Sequence, residues 1–451
     1  MMMKFSFAIF LFLSVILADE IKKLPGLNFK VYSRHFSGYL NVSETHRLHY
    51  WFVESQNTPS VDPLVFWFEG GPGCSSIIGL SDNNGPFLFA NPDVNETFRR
   101  NEHTWNRMAN IVYLSSPAGT GFSYSTDGNI TTNDELTADE NYEAVKLFLK
   151  EFPSYRNHEL FLTGESYAGI YIPMLATRII DGQKDYPINL KGIAIGNGAV
   201  NLKIQPRTSL FYSYHHGLVS ERVYKRLVNG CCKGNIETCE IDLRNSYCQE
   251  MKEMGKPMVL FDYDISQKCY NRKNEEDMFP DCNNYQKLKK IAEYYLDDNV
   301  REALFIPSEA PQFHYCNMAM IDHGIYKKEK DDMSEYFLKI VAAGVKTLLF
   351  YGDQDKVCDF LMGQQFVAKL NITKISAKEP WFVNKIAAGY KTVYSNLTFI
   401  TVRGAGHSAA KTRPLEMYQV IQEFFKASRI NASSSYVFLI SIIFNIIFHL
   451  F

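Results

Sequence analysis

The chain has 451 residues, enough to bury a large core and too many for one minimal domain. Apolar residues make up 46% and charged residues 21% of it, which is typical of a globular protein and excludes a disordered one. A net charge of -2 gives no reason to expect nucleic acid or an anionic membrane surface as a partner, so both classes are set aside.

The first 18 residues have the pattern of a secretory signal peptide. Lys4 precedes an apolar run over residues 5–17, which ends at Ala18 before two acidic residues. A membrane anchor is the alternative, but the run is short for a span. Nine cysteines in a secreted chain predict disulfides and one thiol left over, hence a lysosomal or extracellular location. The sequence also contains six glycosylation sequons, at Asn41, Asn95, Asn129, Asn371, Asn396 and Asn431.

The first part of the chain predicts strands leading into a sheet. Residues 29–56 alternate in polarity as antiparallel strands do. A continuous apolar run over residues 64–68 predicts a buried strand, and residues 69–76 after it form a glycine-rich loop. A flexible turn is one interpretation of that loop, but two glycines followed by Pro and Gly favour a fixed shape. Residues 111–114 predict another buried strand, and residues 137–152 an amphipathic helix that ends at Pro153.

The most informative stretch is residues 158–180. A short apolar strand runs into Gly164, Ser166 and Ala168, and a helix-forming run follows. A serine at a strand-to-helix turn between small residues is typical of a nucleophile elbow, because bulky neighbours would prevent the tight turn. Ala168 stands where the general G-x-S-x-G pattern has its second glycine. A plain strand–helix junction is the alternative interpretation.

Strands and helices alternate through this region, which predicts an α/β fold with a mostly parallel sheet covered on both faces. Further buried strands are expected at residues 192–195, 345–351 and 397–402, and a closing helix at 414–425. The elbow makes this an α/β-hydrolase fold, with core segments at 19–201 and 314–428. Residues 202–313 are richer in polar residues and contain six cysteines, which predicts an inserted helical cap held by disulfides. Zinc is the competing interpretation, but adjacent Cys231 and Cys232 do not match ligand spacing, so neither metal nor cofactor is expected.

Two later loops supply the partners that a serine nucleophile needs. A hydroxyl requires a base within reach, and the base requires an orienting carboxylate. Asp355 and His407 follow predicted strands, giving the order Ser166, Asp355, His407 found in α/β-hydrolases. Asp353 competes for the acid position, and we favour Asp355 because it comes three positions after Gly352.

The C-terminal segment 429–451 is a short polar linker followed by an apolar tail. The tail over residues 436–451 is apolar except for Ser441, Asn445 and His449, and its sixteen residues are few for a span. Small residues ahead of it resemble a lipid-anchor signal. We expect membrane attachment through this tail, either by a lipid anchor or by a terminal membrane anchor.

With these motifs in place, the chain resembles the serine carboxypeptidase family. The resemblance is carried by WFEGGPGCSS (67–76), NNGPF (83–87), SPAGTGFSYS (116–125), GESYAG, GNG, GDQD and VRGAGH, in the family's order. It implies that Ser166 is the nucleophile, His407 the base and Asp355 its orienter. The resemblance further assigns backbone N–H groups of Gly71 and Tyr167 to an oxyanion hole, and Trp67, Glu69, Gly70, Asn83 and Glu165 to a site for the substrate's C-terminal carboxylate.

The resemblance also implies a cysteine pattern. The pairs would be Cys74–Cys316, Cys231–Cys248, Cys232–Cys239 and Cys269–Cys282, with Cys358 as a free thiol close to the substrate.

Two departures from the family pattern concern the site. The family usually has Asn at the position of Glu69 and Glu at that of Asn83, so the two side-chain types are exchanged. We expect Glu69 and Glu165 to share protons with the substrate carboxylate, which makes binding best at acid pH. Ser408, Ala409 and Ala410 replace the common Met-Val-Pro after the histidine, and this leaves the preference for the departing residue open.

Three functions compete at this stage. The first is a serine-type carboxypeptidase acting on peptide or protein C-termini at acid pH through an acyl-enzyme. The second is an acyltransferase that uses the same triad, and the third is a protective scaffold that binds other hydrolases. A homodimer is left open.

Overall fold

The computed structural model describes residues 19–90, 94–242, 245–249, 262–267 and 283–427. The expected signal peptide, the C-terminal tail, Asn431 and the Cys269–Cys282 pair lie outside these residues. None of the described helices is both long and apolar enough to cross a membrane.

A mixed β-sheet forms the centre of the molecule. The strands are β1 (Asp19–Glu20), β2 (His35–Asn41), β3 (His46–Val53), β4 (Leu64–Phe68), β5 (Phe87–Phe89), β6 (Phe98–Arg100), β7 (Asn110–Leu114), β8 (Tyr124–Ser125), β9 (Thr132–Asn133), β10 (Leu160–Glu165), β11 (Leu190–Gly196), β12 (Tyr326–Lys327), β13 (Lys346–Gly352), β14 (Glu379–Val383), β15 (Ile386–Tyr394) and β16 (Leu397–Val402). Their order in the main sheet is β1-β2-β3-β7-β4-β10-β11-β13-β16-β15-β14, with β8 paired to β3.

The middle of the sheet is parallel and both of its edges are antiparallel. Strands β7, β4, β10, β11, β13 and β16 run in one direction. The antiparallel ladders join β1, β2, β3 and β7 at one edge, and β16, β15 and β14 at the other. Continuous apolar sequence in the middle strands is expected for this position, since helices cover both faces of a parallel sheet.

Helices pack on the two faces of the sheet. They are α1 (Asp134–Glu151), α2 (Ala168–Asp181), α3 (Gln205–His215), α4 (Glu221–Cys231), α5 (Asn283–Leu296), α6 (Asp298–Ala303), α7 (Ala319–Asp322), α8 (Ser334–Ala342), α9 (Phe360–Lys369), α10 (Ala409–Thr412) and α11 (414–427). One large apolar cluster contains α1, α2, α8 and α9 side chains, and a second contains those of α5, α6 and α11. The predicted α/β-hydrolase architecture has this layered form.

Several element boundaries extend beyond the apolar runs that predicted them. Helix α1 begins at Asp134, three residues before the expected start, because the Asn133 side chain accepts a hydrogen bond from the backbone N–H of Leu136 and caps the helix. Strand β10 continues to Glu165, immediately before the elbow serine. Strands β4 and β16 have the predicted bounds.

The inserted segment divides into two parts with different packing. Helices α3 and α4 contribute Leu210 and Leu227 to a small apolar core of their own. Disulfides Cys231–Cys248 and Cys232–Cys239 lie in that part. Tyr295 of α5 instead belongs to the second of the two apolar clusters on the sheet, so the end of the insertion packs as part of the hydrolase core.

The described sequons differ in accessibility. Asn41, Asn95, Asn129 and Asn371 are exposed, as a glycan attachment site requires. Asn396 is half-buried, and its side-chain amide donates to the carbonyl oxygen of Val341 at 3.3 Å. Glycosylation therefore remains a prediction, and the structure favours it least at Asn396.

A buried histidine–glutamate pair joins β3 to α1. His46 Nδ1 lies 2.6 Å from Glu140 Oε1, and both side chains are buried. The hydrogen bond and charge of Glu140 raise the pKa of His46, and burial opposes this only in part. The native state therefore binds the His46 proton more tightly than the unfolded chain does.

We expect this pair to make folding more favourable at acid pH. A raised native pKa gives stability that is fully present below the unfolded pKa of about 6.5 and is lost as the pH rises through the native value. The free energy of unfolding, measured by urea titration from pH 5 to 8, should fall more in the wild type than in His46→Gln. His323→Gln, at an exposed histidine, is the matched control. Parallel curves for the wild type and His46→Gln would contradict the expectation.

Candidate active site

Ser166 lies on a strained turn between β10 and α2. Its φ is 64°, a left-handed conformation that a non-glycine residue adopts only when its surroundings require it. A Cβ added at Gly164 would overlap the carbonyl oxygen of Phe68, and one at Gly169 would come within 2.6 Å of the backbone nitrogen of Ala199. The small residues of the motif therefore let the elbow pack between neighbouring strands, as the sequence predicts for a nucleophile turn.

His407 follows β16 and is oriented by Asp355, which follows β13. His407 Nδ1 donates to Asp355 Oδ2 at 2.7 Å. The Asp355 carboxylate is fully buried and accepts three further hydrogen bonds, from the N–H of Val357, the N–H of Cys358 and the side-chain amide of Asn197, at 2.9–3.1 Å. Fixed donors of this kind satisfy the buried carboxylate and hold it in one orientation towards the imidazole.

Burial opposes protonation of His407, but the charges of Asp355 and, more weakly, Glu165 outweigh it and raise the pKa of the imidazole. The ring thus sits in a field that stabilises imidazolium, which is the form a histidine base takes after it accepts a proton.

Asp353, the competing acid, has a different position. Its Oδ1 accepts from the backbone N–H of Gly404 at 2.7 Å and from the side chain of Gln354 at 2.9 Å. It therefore braces the loop before His407, and the histidine pairs with Asp355.

Ser166 and His407 line one cavity of about 280 Å³. Within the described part of the chain, no hydrogen bond joins the serine hydroxyl to the imidazole. Catalytic hydrogen bonds are often long before substrate binds, so a shared cavity wall is the relevant geometry here. Cys74 and Cys316, joined by a disulfide, also line this cavity, whereas Cys358 lies buried behind Asp355 as a free thiol.

The glycine-rich loop contacts the elbow directly. A Cβ at Gly70 would lie 2.5 Å from Ser166 Cβ and 2.6 Å from the backbone nitrogen of Tyr167. Gly71, with φ of 113°, has a conformation that other residues rarely adopt. Gly71 lines the same cavity as Ser166, and Tyr167 follows the serine directly, so their backbone N–H groups are candidates for an oxyanion hole.

A group of carboxyls and their donors lies beside the serine in the same cavity. Trp67 Nε1 donates to Glu69 Oε2 at 3.2 Å, and the side-chain amide of Asn83 donates to Glu165 Oε2 at 3.0 Å. Ser408 Oγ donates to Glu165 Oε1 at 2.6 Å. Burial and the neighbouring Glu165 charge raise the pKa of Glu69 well above its usual range. Glu69 is thus a neutral carboxyl, able to donate, over a wider pH range than an exposed one.

The sequence did not identify three contributors to this site. Asn197 holds Asp355, Ser408 holds Glu165, and Lys411 forms an ion pair with Asp82 at 2.6 Å. Asn197 gave a weak signal, since it lies between two glycines at the end of a predicted strand. Ser408 was expected only to border the pocket. Nothing in the local sequence marks Lys411. In the described ranges no group of three or more His, Cys, Asp or Glu residues is arranged to hold a metal ion.

Known proteins resemble this chain over most of its length. The family model described as serine carboxypeptidase matches residues 25–427. Serine carboxypeptidase ctsa-4.1 of Caenorhabditis elegans is 35% identical, covering 90% of this chain and 93% of that protein. Lysosomal protective protein of Mus musculus is 34% identical, with coverage of 90% and 93%.

A solved structure supports the fold. The prohormone-processing carboxypeptidase Kex1(delta)p of Saccharomyces cerevisiae superposes with a TM-score of 0.75, at 20% identity, covering 91% of this chain and 94% of that one. This likeness confirms the predicted α/β-hydrolase fold.

The two aspartates after β13 should differ sharply in their effect on the serine. Asp355→Asn removes the charge that orients His407, so we expect the rate at which a fluorophosphonate labels Ser166 to fall about 10³–10⁴-fold. Asp353→Asn, the matched control two residues away, should slow labelling less than about tenfold, because the amide oxygen can still accept from Gly404. Equal losses in the two variants would contradict the assignment of Asp355.

Proposed function

The chain belongs to the serine carboxypeptidase family, and on that basis we propose that it releases the C-terminal residue of peptides at acid pH through an acyl-enzyme on Ser166. The observation that carries this proposal is the shared cavity. It contains an elbow serine, a histidine held by a buried aspartate, and beside them a carboxyl whose pKa is raised. The first two groups suit acyl transfer, and the third suits recognition of a free chain end.

In the acylation step the Ser166 oxygen attacks the scissile carbonyl carbon while its proton passes to Nε2 of His407. The carbonyl π electrons move to the oxygen, and the N–H groups of Gly71 and Tyr167 would stabilise the negative charge. The C–N bond then breaks, and His407 gives its proton to the leaving amine. Asp355 stays ionised and holds the imidazole in the required tautomer throughout.

In the deacylation step a water molecule replaces the departed residue. His407 accepts a proton from the water as its oxygen attacks the ester carbonyl, and the bond to Ser166 breaks. The proton then returns to the Ser166 oxygen, so the enzyme is regenerated and an acid with a new C-terminus leaves. Neither of the competing functions is favoured by an observation of its own.

We assign recognition of the substrate carboxylate to Glu69, Asn83 and Glu165 with Trp67 and the Gly70 backbone. A protonated Glu69 can donate a hydrogen bond to a carboxylate, whereas an ionised one repels it. Because burial and Glu165 raise the pKa of Glu69, the donating form is present over the acid range and is lost as the pH rises. His407 acts in the opposite direction, since it must be neutral to accept the serine proton.

The pH dependence of KM tests this assignment. For a blocked dipeptide with a free carboxylate, KM should rise at least about tenfold between pH 4.5 and 7.5 as Glu69 ionises. The same dipeptide as its C-terminal amide should show no such rise, and Glu69→Gln, which stays neutral, should flatten the profile for the free acid. A KM for the free acid that stays constant over this range would overturn the role of Glu69.

The exchange of Glu and Asn relative to the family gives a second test. Glu69→Asn and Asn83→Glu should each raise KM for the free acid, because each leaves the cluster with the wrong number of carboxyls. The double variant restores two carboxyls and one amide, and should recover most of the loss. Additive losses in a double-mutant cycle would contradict a shared network.

We also place the protein in the secretory pathway. Three disulfides among the described cysteines favour an oxidising compartment, and one relative is named lysosomal protective protein. Within that pathway we propose a lysosomal or extracellular location. Of the two, the lysosome has the lower pH, which suits a protein that requires protonated Glu69.

A further inference from the structure

A buried cluster of charges lies at the cavity wall and has no part in the steps above. Asp82 is 3% exposed and belongs to a π-helical turn over Gly79–Asn83. Lys411 Nζ contacts its Oδ2 at 2.6 Å, and Lys287 of α5 forms an ion pair with its Oδ1. We name Asp82, Lys287 and Lys411 the lysine cluster.

The lysine cluster adjoins the side chains of Glu69, Asn83 and Glu165, which we assign to recognition of the substrate's C-terminal carboxylate. Asp82 directly precedes Asn83, and Lys411 follows Ser408 by about one helical turn. Asn83 and Ser408 are the two side chains that donate to Glu165. Asp82 and Lys411 line the same cavity as Glu69, Asn83 and Glu165. If the free carboxylate binds there, as the proposed function requires, Asp82 and Lys411 are the neighbouring charged groups for the side chain of the same terminal residue.

The charges at this end of the cavity favour an anion. Two ammonium groups share one carboxylate, and the Arg99 guanidinium adds positive potential at Lys287. Asp82 carries one negative charge and the two lysines one positive charge each, so the lysine cluster has a net charge of +1.

The other acidic groups of the cavity have their own partners. Glu69 and Glu165, which adjoin the lysine cluster, are held by Trp67, Asn83 and Ser408 in the chain-end site. Asp264 packs against Gly406, beside the histidine, and accepts from Ser266 and Gln267. The walls near the lysine cluster include Ile78, Leu288 and Tyr315, which suit the methylene groups of a side chain.

We propose that Lys411, held by Asp82 and supported by Lys287, selects substrates whose C-terminal residue has an acidic side chain. An incoming carboxylate joins the ammonium of Lys411 in a charge-assisted hydrogen bond. A basic terminal residue meets the ammonium of Lys411 at the same place and is disfavoured.

The test compares two nearly isosteric leaving residues. The substrates are blocked dipeptides with one acyl residue and C-terminal Glu, Gln, Lys or Leu, assayed at pH 5.5, where the Glu side chain is ionised. In the wild type, kcat/KM for Glu should exceed that for Gln on the order of tenfold. Lys411→Met should bring this ratio to about one or below, and Lys411→Arg should keep it above one.

Lys290→Met is the matched control. Like Lys411→Met, it replaces a lysine with methionine, and it does so on the helix that carries Lys287. The Lys290 ammonium, however, donates to the carbonyl oxygen of Glu96. The ratio of Glu to Gln should keep its wild-type value in this variant. Fluorophosphonate labelling of Ser166 and a thermal melt verify that each variant is folded.

The outcomes separate this inference from the proposed function. Release of Leu without a preference for Glu over Gln in the wild type, or a preference for Lys, would overturn the acidic selectivity alone. A preference for Glu that survives in folded Lys411→Met would overturn the role of Lys411. No release from any of the four substrates by a protein whose Ser166 is labelled would overturn the proposed function and this inference with it.

Discussion

The parallel sheet is the constraint on which the site depends. Strands β4, β10, β11, β13 and β16 are neighbours that run in the same direction, so their carboxyl ends meet at one edge. The glycine-rich loop, Ser166, Asn197, Asp355 and His407 each follow one of these strands. Residues separated by 52 to 243 positions are thereby brought within hydrogen-bonding distance. The backbone hydrogen bonds between strands fix where each strand ends, and so fix where each of these loops begins. A loop alone could not place its residues in this way.

The buried acids at this edge differ because their donors differ. Asp355 accepts from three N–H donors besides His407, and these hydrogen bonds compensate the loss of hydration on burial. Asp82 has two lysines, whose charges lower its pKa although burial opposes this. Burial and the neighbouring Glu165 charge raise the pKa of Glu69, and the hydrogen bond from Trp67 opposes this only in part. One cavity therefore contains an acid whose pKa is lowered, Asp82, and an acid whose pKa is raised, Glu69, each suited to a different task.

The local signals in the sequence were sufficient for the parallel middle of the sheet, but they did not predict the antiparallel strands β14 and β15 at its edge. Continuous apolar runs marked β4 and β16 with their observed ends, because a strand buried on both faces is apolar at every position. The elbow was recognisable for a similar reason, since Gly164 and Gly169 lie where a Cβ would meet a neighbouring backbone atom. The predicted start of α1 was three residues too late. The prediction relied on the periodicity of apolar residues, whereas the helix begins at a cap formed by a single polar side chain.

The sequence by itself determined the order of strands and helices, the elbow and the loops that carry Ser166, Asp355 and His407, since each depends on neighbours in the chain. Only the tertiary structure decided which aspartate faces the histidine, because Asp353 and Asp355 lie in the same turn and differ only in direction. It also decided that Ser408 donates to Glu165, and that Asp82 pairs with Lys411, 329 positions away. Such pairings depend on distance in space and on the loss of hydration on burial. The local order of residues specifies neither of these.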